Sequence, residues 1–259
     1  MKNEIVLRPS YWASVSGGKD SLYMLYLILQ HPERYKLDGV VHYELEIDYP
    51  FIKDVIDYME SECKKHGVKF VRIRPSVSYY DLLDQYGFPT RITKWCNQRY
   101  KLDALKQLRN FLKSKGEFLV SYIGFCYDEQ ERCNKKSNKN CVFPLIDYKI
   151  NETEILEWAK TQPIFNDYYK YNRRCGCMYC PQANRLNMAY LLKYYPEHYE
   201  WMFKKCAEKE KMMEERYGRP FSVFNGNPKY NSKYVDKVVR EKWIGKLEEL
   251  RKQYEQNDT

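Results

Sequence analysis

Between residues 11 and 160 the chain repeats one pattern, a short apolar run of strand character followed by a longer stretch with helical spacing. Residues 11–15 read as a buried strand and 22–29 as a buried helix that stops at His31-Pro32. Residues 39–43, 68–73, 118–123 and 141–146 read as further strands. Between them Phe51, Ile52, Val55, Ile56 and Met59 form a helical stripe over 51–65 that stops near Gly67, and Leu102, Leu105, Leu108 and Leu112 form another over 97–112. Residues 152–160 read as a short helix capped by Asn151. Alternation of this kind predicts a parallel sheet with helices on both faces.

Past residue 163 the character changes. Aromatic residues and cysteines dominate 165–180, and charge-rich helical segments follow at 184–217 and 232–255, joined by a loop over 219–231. The expected organisation is therefore an α/β domain over 1–163 and, over 164–259, a cysteine-motif loop with a helical extension packed on it. Of 259 residues 44% are apolar and 31% charged, a balance that supports a core and excludes collagen-like, low-complexity and wholly disordered chains. The longest apolar run, 22–29, is far shorter than the roughly 20 residues that span a bilayer. Residues 1–10 contain no apolar segment of secretory type. The expectation is a cytoplasmic protein with no membrane partner.

Directly after the first strand and before the first helix stands Ser16-Gly17-Gly18-Lys19-Asp20-Ser21. Adjacent glycines let the backbone turn sharply and approach a ligand. The N–H groups and dipole of the helix that follows favour an anion. Lys19 adds a charge, and Ser14, Ser16 and Ser21 offer hydroxyls to phosphate oxygens. A Walker A loop needs Ser or Thr where Asp20 stands, and the dinucleotide fingerprint needs three spaced glycines, so neither applies. An ordinary strand-to-helix turn accounts for the glycines but not for the serines, Lys19 and Asp20 beside them.

This segment resembles the PP-loop, SGGxDS, of the N-type ATP pyrophosphatases, which holds the β,γ-phosphates that leave as pyrophosphate when ATP adenylates a substrate. Later stretches resemble, in order, the phosphoadenosine phosphosulfate (PAPS) reductase-like branch of that superfamily. Val41-His42-Tyr43 with Asp48-Tyr49-Pro50 is similar to its VDTG…E-F-P segment, with Glu44-Leu45-Glu46 in place of Asp-Thr-Gly. Trp95-Cys96-Asn97-Gln98-Arg99-Tyr100-Lys101 resembles W-C-T-x-x-L-K, and Gly124 with Asp128-Glu129 and Arg132 resembles G-x-x-x-D-E-x-x-R. Phe143-Pro144-Leu145-Ile146 is similar to the family's YPL strand, and the stretch from Arg174 to Pro181 to its R-x-G-C-x-x-C-P. These matches run from about residue 14 to 181, some two-thirds of the chain.

The resemblance implies an adenine nucleotide alpha-hydrolase-like (HUP/Rossmann-like) fold: a parallel five-stranded sheet flanked by helices, with a C-terminal helical, cysteine-bearing extension. It implies ATP with Mg²⁺ as the bound nucleotide. Ser14, Ser16, Gly17, Gly18, Lys19, Asp20 and Ser21 would contact it, with His42 and Gly124 close by. Catalytic roles fall to Lys19, Asp20, Arg99, Lys101, Asp128 and Glu129. The segment around Arg99 and Lys101 is rich in Lys and Arg and attracts anions. Asp128 and Glu129 suit Mg²⁺ or a ribose hydroxyl, and equally an ordinary loop ion pair with Arg132.

Nine cysteines without a secretory signal, and an odd number of them, argue against a disulfide framework. Cys175, Cys177 and Cys180 are clustered, whereas Cys63, Cys96, Cys126, Cys133, Cys141 and Cys206 are dispersed, as small buried hydrophobes are. Cys177-x-x-Cys180 is a chelating spacing in a loop freed by Gly176 and closed by Pro181. Cys175 and Cys96 complete a candidate set of four, and Cys96 falls at an expected helix N-terminus that favours thiolate. Such a set fits Zn²⁺ or a [4Fe–4S] cluster, and spacing does not separate them. Resemblance to the cluster-bearing sulfonucleotide reductases tilts the reading to [4Fe–4S], with zinc as the alternative. There the upstream segment is a Cys-Cys pair; here Trp95 stands in it, and Cys175 would replace the missing ligand. Lys170, Arg173 and Arg174 suit an anionic centre. Cys126 and Cys133 stay open as ligands or persulfide-carrying thiols, and Cys141 is assigned to packing.

The function that follows is ATP-dependent adenylation coupled to sulfur transfer onto nucleic acid or a small molecule. A formal net charge of +9 makes tRNA or DNA a candidate acceptor; the sulfur donor is not identified, and a homodimer is allowed. One alternative is a reductase of adenylyl sulfate or its 3′-phosphorylated form, whose family nucleophile is a C-terminal cysteine that residues 251–259 lack. The other is a nucleotide-binding module without chemistry, kept open by the altered Glu44-Leu45-Glu46 turn.

Overall fold

The structure is a computed structural model that describes residues 7–134 and 138–257. The chain divides into two compact units. The first comprises the chain up to Leu45 with Tyr49–Ser76 and Lys101–Phe165; the second comprises Glu46–Asp48, Val77–Tyr100 and the chain from Asn166 onward. The second unit thus takes in two segments that the sequence reading grouped with the first.

The first unit holds a five-stranded sheet, all parallel, in the order β3-β2-β1-β4-β5. Its strands are β1 (Arg8–Val15), β2 (Gly39–Tyr43), β3 (Phe70–Ile73), β4 (Glu117–Tyr122) and β5 (Cys141–Val142). Its helices are α1 (Lys19–Gln30), α2 (Phe51–Lys65), α4 (Leu102–Ser114), α5 (Pro144–Asp147) and α6 (Glu152–Lys160). The expected fold class is the one observed, α/β with a parallel sheet flanked by helices. This is the strand order of a doubly wound sheet, in which the chain reverses its direction of travel at β1 and ligands gather at the carboxyl ends of the strands.

Central strands of a parallel sheet are covered on both faces and read as continuous apolar runs; Val40, Val41 and His42 of β2 are accordingly all buried. Trp12 and Val41 pack with Leu108 and Leu112 of α4 and with Leu119 of β4. The β1–β2 register sets Trp12 opposite Gly39. A Cβ on Gly39 would sit 2.6 Å from the Trp12 ring, so the indole needs glycine there.

Three departures from the sequence reading have plain causes. The fifth strand ends at Val142 rather than running to residue 146, because Pro144 opens α5; proline lacks the N–H that a ladder needs and is preset for a first helical turn. The fourth helix is preceded by a π-helical turn over Cys96–Lys101, a widened form of the expected helix start. Helix α3 (Tyr79–Tyr86), in the second unit, was not anticipated. Its start is held from far along the chain: the Glu46 carboxylate accepts from the Tyr79 N–H and, at 2.9 Å, from the Ser78 hydroxyl.

The second unit is helical. Besides α3 it contains α7 (Arg185–Tyr194), α8 (Pro196–Tyr217), α9 (Ser232–Val238) and α10 (Ile244–Asn257). Asn184 and Asn231 cap α7 and α9, Pro196 opens α8, and Gly218 ends it in the left-handed conformation. Tyr199, Met202, Phe203, Cys206, Val223, Phe224, Val235, Val239 and Leu247 form its buried interior. Among the described residues, no helix is long and apolar enough to cross a membrane.

Candidate functional site

The bend that opens α1 is built around two glycines in different conformations. Gly17 takes φ +75°, and its Cα lies so near α2 that a Cβ would meet Ile52 at 2.8 Å. Gly18 is extended and precedes α1 with no side-chain cap on the helix. The serines tie the bend together. The Ser16 N–H donates to Ser21 Oγ at 3.2 Å, and Ser21 Oγ donates to the Gly18 carbonyl at 2.9 Å. The Gly18 N–H points to Ser16 Oγ at 3.4 Å. Ser16 is exposed, whereas Ser21 is buried. The positive end of a 12-residue helix, uncapped by any side chain, therefore stands behind an exposed serine.

Lys19 is placed differently from the expectation of a charge held out to a ligand. It is 3% exposed, and its ammonium donates to Asp20 at 2.6 Å and to Glu152 at 3.2 Å. Glu152 was not singled out in the sequence. It lies 133 residues from Lys19, and only the Asn151 cap signal beside it hinted that a structured turn was there. Burial pushes the Asp20 carboxyl up against the opposing pull of Lys19, and Glu152 and Glu129 add to the rise. The bend thus gathers carboxylates around one buried lysine.

Of the remaining expected residues of this unit, Gly124 and His42 pack against the bend or the residue before it. A Cβ on Gly124 would lie 2.9 Å from the Asp20 carbonyl and 3.2 Å from the Ser21 nitrogen, so only glycine lets the exit of β4 approach α1 so closely. His42 is buried with its Nδ1 3.1 Å from the Val15 carbonyl, directly before Ser16. Burial lowers its pKa, so the ring is neutral and Nδ1–H is the donor. Ser14 sits in β1 opposite Val41. Asp128 accepts from the Glu152 N–H at 3.2 Å, at the start of α6. Glu129 is buried and pairs with Arg132, whose guanidinium lies 4.1 Å from the Phe125 ring centre. The ion pair that the sequence left as an alternative is therefore present. Lys101 ends the π-helical turn and begins this unit's segment Lys101–Phe165.

Carboxylate oxygens are the hard donors that Mg²⁺ takes, commonly one or two of them together with substrate phosphates. Asp20, Glu129 and Glu152 offer that chemistry. Among the described residues, no three His, Cys, Asp or Glu side chains come together as a metal-holding group. A Mg²⁺ ion here would be carried by phosphates, with at most a pair of these carboxylates.

The second unit contains the cysteine segments. None of the nine cysteines, all within the described residues, forms a disulfide. Cys96, Cys175, Cys177 and Cys180 are each partly exposed, and Cys206 is fully buried. Burial pushes the Cys175 thiol up, with the Asp48 carboxylate and Cys177 adding to it. The Cys loop is pinned by the Met178 N–H donating to the Ile47 carbonyl at 2.9 Å. Arg99 is exposed with its guanidinium 4.9 Å from the Tyr86 ring centre. Lys170 pairs with Asp167 at 3.0 Å. By chemistry, four thiols fit an iron–sulfur or zinc centre. By arrangement they do not form a closed cage, since no three ligands converge.

The turn that departs from the PAPS reductase-like pattern has structural work in both units. Glu44 receives Arg74 at 2.6 Å in the first. In the second, Glu46 holds the start of α3 and accepts from the Tyr100 hydroxyl at 3.1 Å, while its own N–H donates to that oxygen at 2.8 Å. Cys126 is buried, and burial with Asp20 and Glu129 pushes its thiol up. Burial also raises Cys133 and Cys141. Tyr168 and Tyr169 are buried and pack as expected of core aromatics.

No family model matches the chain. Two uncharacterised proteins of Methanocaldococcus jannaschii are similar to it, each at 26% identity: one over 220 residues, covering 77% of this chain and 42% of its own length, the other over 193 residues, covering 71% and 44%. The chain spans less than half the length of these relatives. Among solved structures, the U34-tRNA thiolase NcsA from Methanococcus maripaludis with its [4Fe-4S] cluster aligns with a TM-score of 0.43 and 15% identity, covering 93% of this chain and 76% of that one. A likeness that distant assigns no chemistry to this chain.

Proposed function

We propose that the chain binds MgATP at the Ser16–Ser21 bend and uses it to adenylate an acceptor, which then receives sulfur. The observation that carries this reading is the uncapped start of α1 behind Gly17 and Gly18, with the exposed Ser16 beside it. Backbone N–H groups at a helix N-terminus favour phosphate oxygens through both hydrogen bonding and the dipole. The positive φ of Gly17 and the close approach of Gly124 to Asp20 give the bend a backbone course that larger residues there would not allow. Because Glu129 and Glu152 add their charges to that of Asp20, the bend would repel bare ATP and accept it with its metal.

In the proposed reaction an acceptor oxygen attacks the α-phosphorus, and pyrophosphate leaves along the α1 N-terminus, where developing charge meets the helix dipole. The acceptor oxygen, now linked to AMP, can depart when a sulfur nucleophile attacks its carbon. Arg99 and Lys101, on the π-helical turn, are proposed to bind acceptor phosphates, and Cys96, Cys175, Cys177 and Cys180 to provide the thiols of the sulfur half. An iron–sulfur cluster would supply a sulfide-rich, electron-withdrawing centre; measured iron, acid-labile sulfide and zinc decide whether these thiols hold one. Given the +9 charge, tRNA or DNA is the first acceptor to try.

Titration of MgATP into the protein tests the nucleotide half. Ser16→Ala is expected to weaken binding about tenfold, the worth of one hydrogen bond to a charged oxygen. Equal affinity for the variant, or no dependence on Mg²⁺, would overturn the placement of the phosphates.

A further inference from the structure

The side chain of Tyr79 is completely buried, yet among the described residues its hydroxyl has no hydrogen-bond partner. A buried unpaired hydroxyl is costly, and native structures keep one where something else completes it. Its surroundings say what. The ring is 5.2 Å from Trp95 and 6.2 Å from Tyr179, centre to centre. Trp95 immediately precedes Cys96, and Tyr179 stands between Cys177 and Cys180. Both cysteine segments thus pack against the ring that carries this hydroxyl, and a tyrosine hydroxyl is a donor at neutral pH.

Tyr100 makes a useful contrast. Its ring lies 5.6 Å from that of Tyr79, but its hydroxyl is satisfied by Glu46. The hydroxyl of Tyr79 is thus left, among the described residues, without the kind of partner that its neighbour has.

Resting on the sulfur-transfer half of the reading above, we propose that the Tyr79 hydroxyl donates a hydrogen bond to the terminal sulfur of a persulfide formed on Cys96 or Cys177. The terminal sulfur extends beyond the thiol by one S–S bond of about 2 Å, and as an anion it is a strong acceptor for a buried donor. The sulfur arrives by exchange: a cysteine thiolate attacks a sulfane sulfur of a polysulfide, the new S–S bond forms, and the shortened polysulfide leaves with the electron pair of the broken bond. No net oxidant is needed. Tyr79 touches the sulfur carried and not the acceptor, so it acts as a positioning residue that prolongs the persulfide.

Metal-free protein is treated with sodium polysulfide, freed of excess reagent, and sampled by alkylation and peptide mass spectrometry, without ATP. The expected result is one added sulfur on Cys96 or Cys177, lost about tenfold faster in Tyr79→Phe, the factor expected for one charge-assisted hydrogen bond. Tyr199→Phe, which removes a buried hydroxyl of the same unit already satisfied by Asp236 rather than by Glu46, should leave the lifetime unchanged, so a general loosening of the unit would show itself in both variants. Circular dichroism and thermal unfolding check that each variant folds. Equal lifetimes in wild type and Tyr79→Phe, or equal losses in both variants, would overturn the role of Tyr79 alone. No added sulfur on either cysteine would overturn it together with the sulfur half of the function, while leaving the ATP half standing.

Discussion

Lys19 is the residue on which the bend depends most. Buried between Asp20 and Glu152, it is the compensating cation for two carboxylates that burial would otherwise leave facing each other. Removing one partner of a buried ion group is strongly destabilising because uncompensated charge remains. Lys19→Met is expected to lower unfolding free energy by about 2–4 kcal/mol in urea titrations, and Glu152→Gln by less, since Asp20 still pairs with the lysine. The chemistry of Lys19 was legible in the sequence, but its orientation was not: the partner that draws it inward is far along the chain. His42 supplies a pH effect of determined sign. Burial holds its pKa below 6.5, so the unfolded chain binds the proton more readily than the folded one. Stability contributed by the neutral ring is present above the unfolded value and is lost as pH falls below it. Between pH 7 and 5 the wild type should lose stability more steeply than His42→Asn, followed by thermal unfolding across that range; parallel pH curves would contradict the assignment.

At the scale of elements, close approach decides where glycine is required. Gly124→Ala puts a methyl against the Asp20 carbonyl, a backbone atom that cannot rotate away. The expected cost is about 1–3 kcal/mol together with weaker MgATP binding, because the same shift displaces the start of α1. Asn151→Ala removes a capping box in which Asn151 and Glu154 each accept from the other's N–H, at 3.0 and 2.8 Å, and should cost about 1 kcal/mol. It should also loosen Glu152, the next residue, and the lysine it holds. The strands and the helices α1, α2, α4 and α6 could be read from periodicity since each presents a sustained apolar stripe or run. Helix α3 left a local signal as well, with Ser78 as its cap, Tyr79, Leu82 and Leu83 at helical spacing and Gly87 ending it, while Glu46, outside any local window, adds a second hold on its first turn. The fifth strand was overextended because Phe143-Pro144-Leu145-Ile146 is apolar, and apolarity alone does not show that Pro144 begins a helix.

On the scale of the whole molecule, the two candidate sites fall in different units: the bend proposed to bind phosphate in the parallel α/β unit and the cysteine segments in the helical one. Both segments stand out in the sequence, since glycine, serine and cysteine spacing is local. What spacing left out was the state of the thiols. Cys206 is fully buried and its thiol is raised well above the ordinary value, so it should resist iodoacetamide at neutral pH in the folded protein and react only on unfolding. The central claim is about which bond of ATP the bend helps to break. Phosphorus-31 NMR of MgATP incubated with the protein and tRNA or DNA reads it directly. The account predicts AMP and pyrophosphate in equal amounts, dependent on the acceptor and reduced in Ser16→Ala; ADP and inorganic phosphate, or unchanged ATP across the acceptors, would contradict it.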